Sequence, residues 1–333
     1  MKNNYSRRLF LKTTIGTGVT LAGTMLPELN ASPSQIKNPY DPKGLPTTVL
    51  GKTGVVVPRL AIGLGSRFCN IVILDEALEM LTFALDNGLY YWDMANSYVN
   101  NSTGVISEER LGHIIKNRRK EIFLSTKLAS RDPDKAKQQM EESLKRLQTD
   151  HVDMLKIHSV DSLDDVNNIC KKGGVLDVVT KYKEQGVTRF IGFSGHGVAA
   201  ALKAMVDTGR FDSMLFAMNQ WADNKEDRQG LIIPAAINRG MGIMIMKTVR
   251  PKDTIKDLDP RELIRFALSL KGPNGFAVGM DSKKVVESNL NLLRNFVAMD
   301  ENEKIRFALT LSPFFRHENL EWMKADYRDG YWG

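Results

Sequence analysis

The chain has 333 residues, 42% of them hydrophobic and 26% charged, which is ample material for a core and excludes a wholly disordered or low-complexity polymer. Part of the net charge of +7 sits at the start, where Lys2, Arg7, Arg8 and Lys12 face only Glu28. The remaining excess is too small and too scattered to imply nucleic acid. Two cysteines, Cys69 and Cys170, stand in no CxxC or zinc-like spacing, which excludes a disulfide framework and leaves at most a single bridge.

Residues 6–12 read SRRLFLK and are followed by a small, apolar run over 13–25 and short side chains near Ala31 and Ser32. A charged start, a moderate apolar stretch and small residues at the candidate cut describe a signal peptide over 1–31. Its paired arginines resemble a twin-arginine export signal, so an exported or periplasmic protein handled by that machinery is expected. No later stretch has the ~18 consecutive apolar residues of a membrane span. A polar, Pro-containing linker follows over 32–46.

From residue 47 onward, strand-like and helix-like segments alternate. Short apolar runs bounded by polar residues or glycine lie at 60–63, 90–92, 122–125, 152–157, 190–193, 214–217, 243–246 and 276–278. Such runs suit strands buried on both faces, and their repeat of roughly 30 residues is the length of a βα unit. Between them, residues 74–87 carry Ala77, Leu78, Leu81, Ala84 and Leu85 at helical spacing and end at Asn87 and Gly88. Helices over 133–147 and 260–270 each open with an Asp-Pro pair, a capping side chain before a proline that fits the first helical position. Eight such units predict an α/β fold, a (β/α)8 TIM barrel over 47–310 with a short N-terminal hairpin and a tail over 311–333. A doubly wound sheet fits less well, because no GxGxxG joins a strand to a helix. Residues 51–53, GKT, read as a turn in the hairpin rather than a phosphate loop.

In such a barrel, chemistry gathers at the C-terminal ends of the strands. Asp93 follows the second run, Lys127 the third and His158 the fourth, with Tyr98 five residues beyond Asp93. A phenol ionises near pH ~10. An adjacent ammonium stabilises its phenolate, and a carboxylate keeps that ammonium charged and in place. An imidazole across the mouth can hold a substrate oxygen, so the set can protonate an oxygen while a hydride reaches the neighbouring carbon. The five histidines form no HExxH or HxH, and no metal site is predicted.

These residues lie in GLYYWDMANSY over 88–98 and SEERLG over 107–112, and this pairing resembles the aldo/keto reductase signature. STK at 125–127, KIH at 156–158, IGFS at 191–194 and GMGI at 240–243 are similar to further landmarks of that family in the same order, over about residues 47–297. The resemblance implies NADP(H), with NAD the lesser candidate, and interconversion of a carbonyl and an alcohol. It implies Tyr98 as general acid/base, Lys127 as its electrostatic partner, Asp93 paired with Lys127, and His158 orienting the carbonyl. Ser194 would hold the nicotinamide carboxamide, and Asn219 stands near that pocket. Residues 279–289, GMDSKKVVESN, resemble the stretch that meets the adenosine end, with Gly279, Ser282, Lys283, Lys284 and Asn289 as its contacts and Lys247 near the phosphates. A small carbonyl or alcohol is the expected partner, sugar-like carbonyls among them.

The pattern departs from the family at Gly195, Leu215 and Met246, around the nicotinamide. Those departures motivate an alternative, a non-catalytic barrel that binds nucleotide, sugar or a partner without hydride transfer. Other features read more plainly. Ser107, Glu108, Glu109 and Arg110 read as a helix start with a solvated face, Lys283 and Lys284 equally as an exposed pair, and Met241, Met244 and Met246 as core fillers. The aromatic segment YRDGYW over 327–332 is expected to cover the barrel mouth or a partner surface. Arg67 and Trp221 are expected near a substrate pocket.

Overall fold

A computed structural model describes residues 39–218, 228–250, 255, 257–311 and 329–332. The predicted signal peptide and residues 32–38 of the linker lie outside the described residues, as do Asn219 and Trp221.

Strands β1 (Thr47–Val49) and β2 (Val56–Pro58) form an antiparallel hairpin, and residues 51–53 make a turn within it, as expected. The barrel strands follow: β3 (Leu60–Gly63), β4 (Tyr91–Asp93), then, after the short strands β5 (Val99–Asn100) and β6 (Val105–Ile106), β7 (Phe123–Leu128), β8 (Val152–Val160), β9 (Thr188–Gly195), β10 (Ser213–Ala217), β11 (Gly242–Met246) and β12 (Gly275–Gly279). They close in the order β3-β4-β7-β8-β9-β10-β11-β12, every pairing parallel. The eight predicted runs are the eight barrel strands, and most extend by a residue or more at one or both ends.

The helices between them present the expected faces. Leu74–Asp86 buries Ala77, Leu81, Ala84 and Leu85 and stops at Asn87. Asp132 accepts from the Asp134 and Lys135 amides at the start of Pro133–Leu147, and Asp259 accepts from Arg261 at the start of Pro260–Ser269. Each carboxylate satisfies donors that the first helical turn leaves open. Ser107–Arg118 also starts where predicted, but its first turn is not a solvated face. Ser107 and Glu108 are fully buried, and Arg110 is nearly so. Glu108 accepts from Thr126 of β7 at 2.7 Å, and Arg110 donates to the Ile71 and Val72 carbonyls, so the charges face inward because they tie this helix to its neighbours.

Below the barrel, Tyr40 stacks on Tyr90 at 4.9 Å and donates to Asp153 at 3.0 Å, while Arg119 and Arg189 hold the same carboxylate. This closes the end opposite the strand C-termini. At the open end, strand β13 (Tyr331–Trp332) pairs parallel with β5, which pairs with β6. Cys69 is buried and Cys170 half-buried, and both are free thiols, so the single bridge left open by the sequence does not form. Among the described residues no helix is long and apolar enough to cross a membrane, and no acid, histidine or cysteine cluster could hold a metal.

Candidate active site

The four predicted side chains meet at the open end. Asp93 closes β4, and its Oδ2 lies 2.7 Å from Lys127 Nζ on the adjacent strand β7. Lys127 Nζ lies 3.2 Å from the Tyr98 hydroxyl and 4.7 Å from that ring's centre, and donates to the Met94 carbonyl at 2.6 Å. His158 of β8 sits edge-on to Tyr98 with ring centres 5.7 Å apart. All four are buried.

A fifth residue, Lys156, joins them from below. Lys127 and Lys156 are register partners on β7 and β8, so both side chains enter the barrel at one level. Lys156 Nζ lies 2.6 Å from Asp93 Oδ1, 2.6 Å from Ser125 Oγ and 3.3 Å from the Tyr91 hydroxyl. Ser125 also donates to Asp93. One carboxylate therefore serves two buried ammonium groups. Burial alone would raise the Asp93 carboxyl, but Lys127 and Lys156 overcome it and hold it at about 2. Burial lowers Lys127, and Lys156 adds to that effect while Asp93 opposes it. Gly192 on β9 makes room, since a Cβ there would meet the Ser213 carbonyl at 2.7 Å and the Lys156 stem at 3.3 Å.

His158 has partners on both nitrogens. Nε2 lies 2.9 Å from Asp329 Oδ2, and Nδ1 lies 3.4 Å from Ser97 Oγ. Burial lowers the imidazole, although Asp329 works against it. A neutral ring beside an acceptor-only carboxylate carries its proton on Nε2, leaving Nδ1 to accept from Ser97. Asp329 comes from the C-terminal segment and also lies 3.5 Å from Lys247. Burial would raise its carboxyl, but Lys247, His196 and His158 hold it well below the usual range.

The segment is closely seated. Val99 donates to the Gly330 carbonyl at 3.0 Å, and Gly330 has φ of 115°, with its Cα against Ser97 so that a Cβ would collide with that side chain. Of the predicted tail, residues 329–332 thus lie against Ser97, Val99 and His158 at the open end of the barrel.

A cavity of about 320 Å³ runs from Asp93 and Tyr98 past Leu215, Met246 and Lys247 to Gly279 and Asn289. Of the residues expected at a cofactor, it brings together Lys247, Arg250 after the same strand, where barrels often hold phosphate, Gly279 and Asn289, together with Arg67, expected near a substrate pocket. Lys247 holds a left-handed backbone, φ 64°, at the end of β11. Ser194 is fully buried on β9, where its hydroxyl accepts from the Ser159 amide at 3.2 Å, and it is not among the cavity's lining residues. Ser282, Lys283 and Lys284 do not line the cavity either. Ser282 caps helix Lys283–Arg294, and Lys283 reaches Glu79 at 2.9 Å over the Phe83 ring, so its charge is engaged across the surface. Leu215 and Met246, two of the departures, both face the cavity. Met241, Met244 and Met246 are buried as core residues, as expected.

Lys156 and Asp329 were not among the residues singled out from sequence. Lys156 had a signal, since it stands two residues before His158 and so shares its face of the strand. Asp329 had none, because its partners are 171 and 82 positions away.

Comparison with known proteins places these features. The Aldo/keto reductase family profile matches residues 61–250, more than half of the chain. An uncharacterized oxidoreductase, YrpG of Bacillus subtilis (strain 168), is 28% identical over 220 residues, 59% of this chain and 64% of that protein. L-galactose dehydrogenase of Arabidopsis thaliana is 31% identical over 160 residues, 44% of this chain and 47% of that protein. Each of these matches spans less than two thirds of the relative. The solved aldo-keto reductase AKR11C1 from Bacillus halodurans, in its holo form, superposes with a TM-score of 0.65 at 18% identity, over 80% of this chain and 96% of that one. That likeness is one of fold.

Proposed function

The chain belongs to the aldo/keto reductase family, and from that premise we propose that it is an NADP(H)-dependent oxidoreductase that interconverts a carbonyl and an alcohol, with Tyr98 as general acid/base. The observation that carries this reading is the buried chain from Asp93 through Lys127 to the Tyr98 hydroxyl, at one end of a groove whose lining includes Lys247, Arg250 and Arg67.

The groove fits a dinucleotide in its chemistry. Lys247 and Arg67, held by Asp329 and Asp281, and Arg250 bring positive charge for phosphates, and Asn289 offers an amide at the far end. Leu215 and Met246 supply an apolar wall beside Tyr98. When bound, the nicotinamide supplies or accepts the hydride. Tyr98 holds the proton that the substrate oxygen gains in reduction. Lys127, within hydrogen-bond reach of the phenol, stabilises the phenolate left behind, and Asp93 keeps Lys127 in place. The Nε2 proton of His158 is the second donor for that oxygen once Asp329 yields it. Apolar walls and the seated C-terminal segment limit water at the proton-transfer end.

Export of the folded protein by the twin-arginine route is part of the proposal. It rests on SRRLFLK at 6–12. Outside the cytoplasm a nucleotide pool is lacking, which favours a cofactor retained from folding. One feature favours the alternative of a binding barrel without hydride transfer: Asp329 occupies the His158 donor. NADPH and NADH titrations followed by tryptophan fluorescence, with a panel of carbonyl and alcohol substrates, separate the two. NADPH binding with turnover lost in Tyr98→Phe supports the reductase. Nucleotide binding with no turnover of any carbonyl or alcohol supports the binding barrel, and unchanged turnover in Tyr98→Phe removes Tyr98 from its role.

A further inference from the structure

We propose that Lys156 is a positioning residue for the proton donor: it divides Asp93 between two lysines, loosens that carboxylate's hold on Lys127, and leaves more of the Lys127 charge to the Tyr98 hydroxyl. The inference rests on the reading of Tyr98 as the proton donor and extends it to a residue that touches neither substrate nor cofactor.

The geometry is specific to that role. An ammonium has three protons, and Lys156 has three oxygen partners: Asp93 at 2.6 Å, Ser125 at 2.6 Å and Tyr91 at 3.3 Å. It is fully buried, so water does not dilute its charge. Like charges at register positions of neighbouring strands repel. Lys127 and Lys156 are such a pair, and the carboxylate between them is what the two share. A strand lysine buried in a barrel interior costs free energy unless it is paired. Gly192, its register partner on β9, also leaves room for its stem, which a Cβ there would meet at 3.3 Å.

The charge balance gives the consequence. With Lys127 alone, Asp93 and the lysine would form a neutral pair beside the phenol. With Lys156 added, the cluster carries one net positive charge, which favours the phenolate. Other groups face Tyr98 as well. His158 flanks the ring, Asp329 reaches it through His158 with Lys247 behind, and the Cys69 thiol donates to the Tyr98 carbonyl. None of these contacts Lys156, so its removal acts through Asp93 and Lys127.

The experiment reads Tyr98 directly by tyrosinate absorbance across pH, isolated as the difference between each protein and its Tyr98→Phe counterpart. This needs no substrate and no nucleotide. Lys156→Met is expected to make the phenol about tenfold harder to ionise, the size of effect of one buried charge at a few ångströms. Lys156→Arg, which keeps the charge, is expected to stay close to the native protein. Lys156→Gln serves if the methionine variant does not fold. Where a carbonyl substrate is turned over, the basic limb of kcat/KM moves upward with the titration. A Tyr98 titration unchanged in both neutral variants overturns the proposal, as does an equal shift in Lys156→Arg. A shifted titration alongside NADPH binding without turnover supports the positioning role and counts against the reductase reading instead.

Discussion

Removing Asp93 should cost far more stability than removing Lys156, although both belong to one ion cluster. Asp93→Asn leaves Lys127 and Lys156 buried with no carboxylate between them. Breaking one buried pair by deleting a partner costs about 3–5 kcal/mol, and here one deletion strands two cations. Bound to opposite oxygens of a single carboxylate, the two nitrogens stand roughly 5 Å apart, where an effective dielectric of about 20 gives a repulsion of about 3 kcal/mol. That repulsion is already present in the native protein, so the asparagine variant loses the attractions without gaining it, a deficit of about 3 kcal/mol. Lys156→Met removes one attraction to Asp93 together with that repulsion, and leaves the 2.7 Å Asp93–Lys127 pair intact. Its cost should be about 1 kcal/mol, since replacing a buried ion by an apolar chain of similar volume is often close to neutral. Urea unfolding at neutral pH measures both. The asparagine deficit should shrink as pH rises toward ~10, because Lys127, which burial already lowers, loses its penalty once it is neutral in the unfolded chain too. Equal losses in the two variants, or a larger loss in Lys156→Met, would refute this charge count.

Two further predictions concern stability and the cofactor end. Asp93 has a folded pKa of about 2 against an ordinary 3.8, so it contributes about 2 kcal/mol that is fully present above pH 3.8 and is lost as pH falls through about 2; a urea series down to that pH should show stability falling across this window, with a shallower fall in Asp93→Asn. Ser282 caps the helix Lys283–Arg294 by accepting from the Val285 amide, and Ser282→Ala should cost about 1 kcal/mol in thermal or urea unfolding. If the hydroxyl serves only as a cap, the ratio of NADPH to NADH affinity should not change, and a selective loss of NADPH would show a 2′-phosphate contact.

The barrel was legible because its strands are buried on both faces and read as apolar runs without alternation, and because Asp132 and Asp259 each announce a helix one residue before a proline. The tetrad was legible because its members follow consecutive strand ends. Lys156 was hidden by its type: a lysine within a strand reads as solvent-facing, and only the shared face with His158 at a spacing of two betrays it. Glu108 was misread for a related reason. A run of charges at a helix start suits solvent, yet its partner Thr126 lies on a strand whose inward and outward positions no local pattern distinguishes. Lys283 was named for the cofactor from the family pattern, and its pairing with Glu79, 204 positions away, was not legible from local sequence. The seat of Asp329 depends on His158 and Lys247, 171 and 82 positions away, and no periodicity carries that information.

The segment around Asp329 links ligand binding to its own docking. The Asp329 carboxylate sits on the His158 donor that a substrate oxygen would use, and beside the Lys247 cation that a cofactor phosphate would use. A ligand that takes either group must replace a charge-assisted hydrogen bond or a buried ion pair, each worth more than an ordinary polar contact. Its apparent affinity is reduced by whatever fraction of molecules hold the segment in place. Asp329→Asn weakens both contacts but keeps the shape, so NADPH should bind several-fold more tightly. Gly330→Ala tests the same linkage without touching a charge, because a Cβ at φ 115° collides with Ser97 and must unseat Asp329 with it. Both variants should shift the NADPH affinity in the same direction by fluorescence titration. Weaker NADPH binding in both would mean that Asp329 helps to build the nucleotide site, and that the segment must be docked before the nucleotide can bind.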